Sequence, residues 1–271
     1  MIKVLIASEG TVISPTVFEF VKQMNGQMPV LLSGLFLPAS HFTDLLTHNA
    51  CPAQDLPCDE KMHRGLVELV YEFIGFCKKN NICYTLYSDG GRFELPELQY
   101  ETRYADLLLI GEELLKIADT GSWCGSCLAD LIRDSECPIV IIPQTYTAPT
   151  KNIIAFDGSA ASVYALKQFS YLLPGFATNE TLFMAVENNI AEDASALNEK
   201  QLTELAKSHY PSYRIETEGG SILRYFSGEM NEAGTLIIAG SYGTLPGFNV
   251  GCTNLAPDIQ CQGAPLFITS Y

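Results

Sequence analysis

Positive charge is scarce in this chain. Its 271 residues carry 16 Lys and Arg against 31 Asp and Glu, a formal net charge of −15. That charge divides as −9 over residues 1–150 and −6 over 151–271. A nucleic-acid backbone or an anionic membrane surface finds no compensating charge here, so neither is expected as a partner, and the acidity is read as serving solubility. Although 47% of the residues are apolar, no run of them is long enough to cross a bilayer. The opening Met-Ile-Lys-Val-Leu-Ile has neither the charged region nor the long apolar core of an export signal and reads as a strand. Nine cysteines, an odd number at uneven spacing, exclude a disulfide framework and fit reduced thiols in the cytoplasm. None of the four histidines has a Ser or Cys nucleophile motif beside it. Also missing are Gly-x4-Gly-Lys-Ser/Thr, a strand-coupled Gly-x-Gly-x-x-Gly, and Ser-Gly-Gly-x-Asp-Ser. With no general base placed beside a nucleophile, no enzyme activity is expected.

What the chain does have is a repeat. Asp89-Gly90-Gly91, after Tyr84–Ser88, returns as Glu218-Gly219-Gly220 after Tyr213–Thr217, 129 residues later. The run 106–111, Asp-Leu-Leu-Leu-Ile-Gly, returns at the same offset as 235–240, Thr-Leu-Ile-Ile-Ala-Gly. Cys137–Ile142 is echoed by Ala264–Thr269. A constant offset across a turn and a buried strand implies two copies of one domain, residues 1–144 and 151–271. Pairing the first strands sets Leu5 against Ile154, an offset near 149, so the first copy carries about twenty additional residues. The segment 38–60, with three prolines, His41, His48, Cys51 and Cys58, is where they fall, as a surface loop, lid or interface.

Within each copy, short apolar runs alternate with helical periodicity. The first reads as strands at 3–7, 30–37, 83–87, 107–110 and 139–142. Its helices open at Ser14-Pro15, follow Met62, Leu66, Leu69, Val70, Phe73, Ile74 and Cys77, and continue at 95–104 and 125–134. The second reads as strands at 153–156, 181–186, 213–217, 235–240 and 264–269, with helices at 162–172 and 198–209. Strands apolar on both faces that alternate with helices imply a parallel α/β sheet covered on both sides. The connection 143–150 is short and bounded by prolines, and two such units on a stiff tether are expected to pack as a pseudo-dimer.

Chemistry concentrates in the second copy. Asp157-Gly158-Ser159 leaves the carboxyl end of a central strand, the ligand side of a parallel sheet. The fourth strand runs into Gly240 and Gly243, followed by Gly251, Cys252 and Thr253. Glycines admit phosphate oxygens to the backbone, and a hydroxyl near a helix N-terminus adds a donor. These residues outline a phosphate cradle opposite an adenine or ribose anchor; a glycine-rich turn that binds nothing is the competing reading. In the first copy Ser8-Glu9-Gly10 stands at the place of Asp-Gly-Ser, and Glu112-Glu113 follow Gly111, so its carboxylates repel a phosphate. Cys124-Gly-Ser-Cys127 offers a redox pair or half of a metal site, but two ordinary thiols around a glycine turn is the plainer reading.

The strand–Asp-Gly-Ser–helix unit, the run Ala-Asp-Leu-Leu-Leu-Ile-Gly and the terminal Cys-Pro-Ile-Val-Ile-Ile-Pro resemble the universal stress protein family in tandem form, over nearly the whole chain except the insert. That resemblance implies two five-stranded parallel-sheet sandwiches of the adenine-nucleotide α-hydrolase-like, Rossmann-like type, associating through their terminal strands. It implies a stress-response or sensing role, with ATP or AMP bound by some members and slow ATP hydrolysis at most. Family members that bind nucleotide use a first-strand Asp, second-strand backbone and Gly-x2-Gly-x9-Gly-Ser/Thr. Carried over, these are Asp157, Gly158 and Ser159, Ala185 or Val186, and Gly240, Gly243, Gly251, Cys252 and Thr253. Seven rather than nine residues separate Gly243 from Gly251, and Cys252 stands where Ser or Thr belongs. The alternative is therefore a protein-interaction module with both sites degenerate. No metal and no essential cofactor are expected.

Overall fold

The structure, a computed structural model, describes residues 1–9, 13–37, 60–87, 95–115, 133–186, 192–218, 233–240 and 263–269. The chain divides into two compact units, Met1–Gln144 and Thr145–Tyr271. The first holds β1 (Ile2–Glu9), α1 (Pro15–Gln27), β2 (Val30–Leu37), α2 (Glu60–Lys79), β3 (Cys83–Tyr87), α3 (Leu95–Arg103), β4 (Leu107–Gly111), a 3-10 turn (Glu112–Leu115) and β5 (Ile139–Ile142). The second holds β6 (Lys151–Phe156), α4 (Ala160–Leu172), α5 (Pro174–Ala177), β7 (Glu180–Val186), α6 (Glu192–His209), β8 (Tyr213–Glu218), β9 (Thr235–Gly240) and β10 (Leu266–Thr269). Within the first unit the strand order is β3-β2-β1-β4-β5, and within the second it is β8-β7-β6-β9-β10. Every pairing inside each unit is parallel. Among the described residues no helix is long and apolar enough to cross a membrane.

Burial explains the strand sequences. Every residue of β4, β5, β9 and β10 is buried, which is why these strands read as apolar runs rather than as a polar-apolar alternation. The outer strand β3 is partly exposed along its length and carries polar residues to match. In α2, Leu69, Phe73 and Cys77 are fully buried while Tyr71 is exposed, the one-sided stripe expected from helical spacing. Phe73 meets Phe36 and Tyr84 edge-on at 5.4 and 6.0 Å. In the second unit Phe183 meets Tyr210 and Tyr213 in the same way at 5.2 and 6.2 Å. These arrangements suit aromatic quadrupoles better than face-to-face stacking.

The sheet register tests the repeat without reference to side-chain similarity. Val4 lies opposite Leu107, and Asn152 opposite Leu236; Leu107 and Leu236 are the 129-residue pair of the sequence. Val4 and Asn152 are thus equivalent, 148 apart. Leu32 pairs with Val4 and Thr181 with Asn152, an offset of 149. Tyr84 pairs with Leu32 and Tyr213 with Thr181, which returns the offset to 129. The twenty additional residues of the first unit therefore enter between β2 and β3. Residues 38–59 of the proposed insert lie outside the described residues, as does most of the helix expected at 125–134.

The same register corrects the pairing of first strands by one residue. Leu5 corresponds to Ile153 rather than Ile154, so Asp157 corresponds to Glu9 and not to Ser8. Val4–Ala7 and Ile153–Phe156 are too alike in hydrophobicity for composition to fix a one-residue slip; backbone pairing fixes it. Glu9-Gly10-Thr11 thus stands where the second unit has Asp157-Gly158-Ser159, an acid, a glycine and a hydroxyl in both. Gly10 and Thr11 lie outside the described residues.

Candidate functional site

In a sheet ordered 3-2-1-4-5 the chain leaves the first strand toward one edge and returns across it to the other. The crevice at the carboxyl ends of the first and fourth strands is where such sheets bind ligands. In the second unit those strands are β6 and β9, so Asp157 and Gly240 flank the crevice. Ala185 and Val186 end the neighbouring β7, with Ala185 paired to Phe156. Gly243, Gly251, Cys252 and Thr253 lie outside the described residues.

Asp157-Gly158-Ser159 builds the start of α4 by itself. Asp157 is 6% exposed, and its Oδ1 accepts the backbone N–H of Ser159 at 2.9 Å. Gly158 takes φ +76°, the left-handed region that a side chain disfavours. Ser159 is the N-cap, and its Oγ accepts the Ser162 N–H at 3.2 Å. Ser162 Oγ donates back to the Ser159 carbonyl at 3.0 Å. Two otherwise orphaned groups of the helix start are satisfied in this way. Asp157, Gly158 and Ser159 together turn the chain from β6 into α4 at the carboxyl end of the sheet. In the first unit Ser14 occupies the N-cap position of α1 but makes no side-chain cap bond. Its hydroxyl pairs with Thr16 Oγ1 at 2.8 Å instead.

Gly240 shows how close β9 and α4 lie. A Cβ placed on it would sit 2.5 Å from the Ala161 carbonyl carbon and 2.8 Å from the Ser162 nitrogen. Only glycine lets the strand end meet the first turn of the helix. At the equivalent Gly111 the same volume is taken by the Glu113 carboxylate. Glu112 is buried beside it and accepts the Gln144 N–H through Oε1 at 3.0 Å. The carboxylates that the sequence sets after Gly111 are thus folded into the carboxyl end of the first sheet, one held by β5's exit and one against the strand. Their charge there opposes a phosphate.

Two polar side chains near the second crevice escaped the sequence reading. Ser162 completes the cap. Thr269 ends β10 opposite Gly240, fully buried, with an Oγ1 that has no hydrogen-bond partner. Its signal was present in the echo of 137–142 by 264–269, where Ile142 is answered by a hydroxyl.

The Cys124/Cys127 pair, together with Cys51, Cys58, His41 and His48, lies outside the described residues. Among the described residues no group of three or more His, Cys, Asp or Glu side chains could hold a metal. Burial pushes the thiols of Cys77 and Cys137 up to about 12, whereas Cys83 is exposed on β3. Even at pH 10 such thiols are only ~1% thiolate, the reactive form. Brief iodoacetamide labelling at pH 8 followed by peptide mapping should therefore modify Cys83 and leave Cys77 and Cys137 intact until urea unfolds the chain. Labelling of Cys137 in the native protein would contradict its burial.

No protein-family model and no curated protein matches the chain. Among solved structures it is similar to a universal stress protein from Archaeoglobus fulgidus DSM 4304, at TM-score 0.66 and 14% identity, over 99% of this chain and 96% of that one. A putative universal stress protein from Pseudomonas aeruginosa UCBPP-PA14 aligns at TM-score 0.58 and 12% identity, over 99% and 92%. The cytoplasmic domain of a prokaryotic cation chloride cotransporter aligns at TM-score 0.53 and 12% identity, over 98% and 94%. At these identities the likeness speaks to architecture alone: the chain has the fold of the universal stress protein structures.

Proposed function

We propose that the chain is a tandem member of the universal stress protein family, a cytoplasmic sensing protein whose second unit binds an adenine nucleotide without turning it over. One observation carries this reading. The buried Asp157 carboxylate follows β6 and the close-approach Gly240 ends β9, the two strands that flank the switch point where a parallel sheet receives ligands. Asp157 would accept ribose hydroxyls, and the β7 end at Ala185 and Val186 would line the base. Phosphate would lie toward Gly240 and the glycines that follow it. The acidic first crevice makes the second unit the single nucleotide site.

The test is calorimetry with ATP and AMP on the wild type and two variants. Asp157→Asn keeps an acceptor for the Ser159 N–H and so preserves the turn, while weakening the charge-assisted bond to ribose. Asp157→Ala removes both. Saturable 1:1 binding that falls about tenfold or more in Asp157→Asn, the weight of one hydrogen bond to a charged group, is expected. No binding at millimolar nucleotide would refute the reading. A second reading, a partner-binding module with no nucleotide, is favoured by the likeness to the cytoplasmic domain of a cotransporter, where such a fold forms part of a larger protein.

A further inference from the structure

The carboxyl end of β10 holds a polar group that nothing in the fold explains. Thr269 is 0% exposed, and its Oγ1 is buried without a hydrogen-bond partner, although a buried hydroxyl ordinarily has one. Its surroundings can be placed from the register. Thr269 pairs with Gly240 of β9, and residues side by side in a parallel pair point to the same face. On Gly240 that face meets Ala161 and Ser162 in the first turn of α4. Phe267, two residues earlier and on the same face as Thr269, packs edge-on against Phe169 of α4 at 5.4 Å. The hydroxyl therefore lies on the α4 face of the sheet, one strand beyond Gly240 and level with the helix's first turn. In the first unit the register sets Ile142 at this place, Ile139 and Leu266 being paired with the equivalent Leu108 and Ile237. The hydroxyl is thus not a requirement of the fold. It occurs in the unit whose crevice carries a capped helix N-terminus and is absent where carboxylates fill the crevice.

We infer that Thr269 is a ligand residue of the second unit, whose Oγ1 donates a hydrogen bond to the phosphate chain of the bound nucleotide beside the α4 N-terminus. This rests on the nucleotide reading above and adds to it a residue on the fifth strand that discriminates phosphorylated from unphosphorylated ligand. A helix N-terminus favours an anion through its dipole and its N–H groups. A neutral donor next to it adds a hydrogen bond without a competing charge.

The near-isosteric Thr269→Val separates this role from a structural one. Removing an unsatisfied hydroxyl while keeping the side chain's shape relieves a buried polar group, so the ligand-free variant should melt a few degrees higher. Its ATP affinity, measured by calorimetry, should fall about tenfold or more, while adenosine affinity is unchanged; Thr269→Ser, which keeps the hydroxyl, should retain ATP binding. Equal ATP affinity in wild type and Thr269→Val, or an equal loss for adenosine, overturns the inference and leaves the nucleotide reading standing. A lower Tm for Thr269→Val shows that the hydroxyl serves the fold and also overturns it. If the wild type binds neither ATP nor adenosine, both the inference and the reading beneath it fail.

Discussion

Gly240→Ala is expected to destabilise the second unit by about 3 kcal/mol, the upper range for overpacking a close contact, and to displace the first turn of α4 with it. The cause is steric. Gly240 is not among the glycines with positive φ, so alanine meets no backbone strain there. Its methyl group, however, would press on Ala161 carbonyl atoms at 2.5 and 2.6 Å and on the Ser162 nitrogen at 2.8 Å. These are main-chain atoms of a helix held down by its own cap and by Phe169 against Phe267, and no side chain can swing aside to relieve the clash. The helix start must move, and the Asp157 turn moves with it. The equivalent Gly111→Ala provides the control. There the methyl would meet the Glu113 carboxylate, the far end of a flexible side chain that can rotate away. A cost of about 1 kcal/mol or less is expected, partly offset by the lower entropy of the unfolded chain. Urea unfolding of both variants checks the contrast. Equal costs would mean that β9 and α4 do not approach as closely as Gly240 requires.

That contrast was only half legible in the sequence. The aligned Gly111 and Gly240 announced the repeat, but what each glycine admits depends on elements far away in the chain: a helix start in one unit, a neighbouring carboxylate in the other. Strand ends are legible where apolar runs end abruptly; β2, β3 and β5 begin and end as expected. Helices were read where an apolar stripe recurs, as at Leu69, Phe73 and Cys77. Periodicity started α6 near 198 although the helix begins at Glu192, because its first turns, Glu-Asp-Ala-Ser-Ala, show no stripe. The four-residue α5 was missed, being shorter than any period. Asp157-Gly158-Ser159 reads in the sequence as a ligand signature, whereas its part in starting α4 shows only with Ser162, a residue with no signature of its own. The register slip at β1 hid the Glu9-Gly10-Thr11 counterpart, since two equally apolar strands look alike when shifted by one.

Asn152 is the other residue whose importance lay hidden. In sequence it is a polar residue just before an apolar run, and the strand was read as beginning after it, at Ile153. In the structure it lies inside β6, 1% exposed, because α5 covers it. Its Nδ2 donates to the Phe176 carbonyl at 2.8 Å and to Thr181 Oγ1 at 3.0 Å. Thr181 Oγ1 in turn donates to the Asn179 carbonyl at 3.0 Å. The amide thereby ties α5 and the turn before β7 onto the sheet, whereas the first unit has only Val4 against Leu32 at the equivalent pair. The Asn152 Oδ1 is buried without a hydrogen-bond partner, so the network is already strained by one unsatisfied acceptor. Asn152→Asp keeps the shape and replaces both donors by an acceptor facing a carbonyl. Burial raises the pKa of such a carboxyl by about 3 units or more above its unfolded value near ~4. The sign follows from linkage: the unfolded chain loses the proton first, so the variant is least impaired below pH ~4. Its deficit then grows by about 1.4 kcal/mol per pH unit until the folded pKa is passed. Near pH 7 the expected loss is on the order of 4 kcal/mol beyond that of the neutral acid, enough to unfold the second unit of a marginally stable chain. Urea titrations of wild type and variant at pH 4.5 and 7.5 measure it. A variant whose deficit is independent of pH would show that water reaches the 152 side chain and that α5 does not seal it.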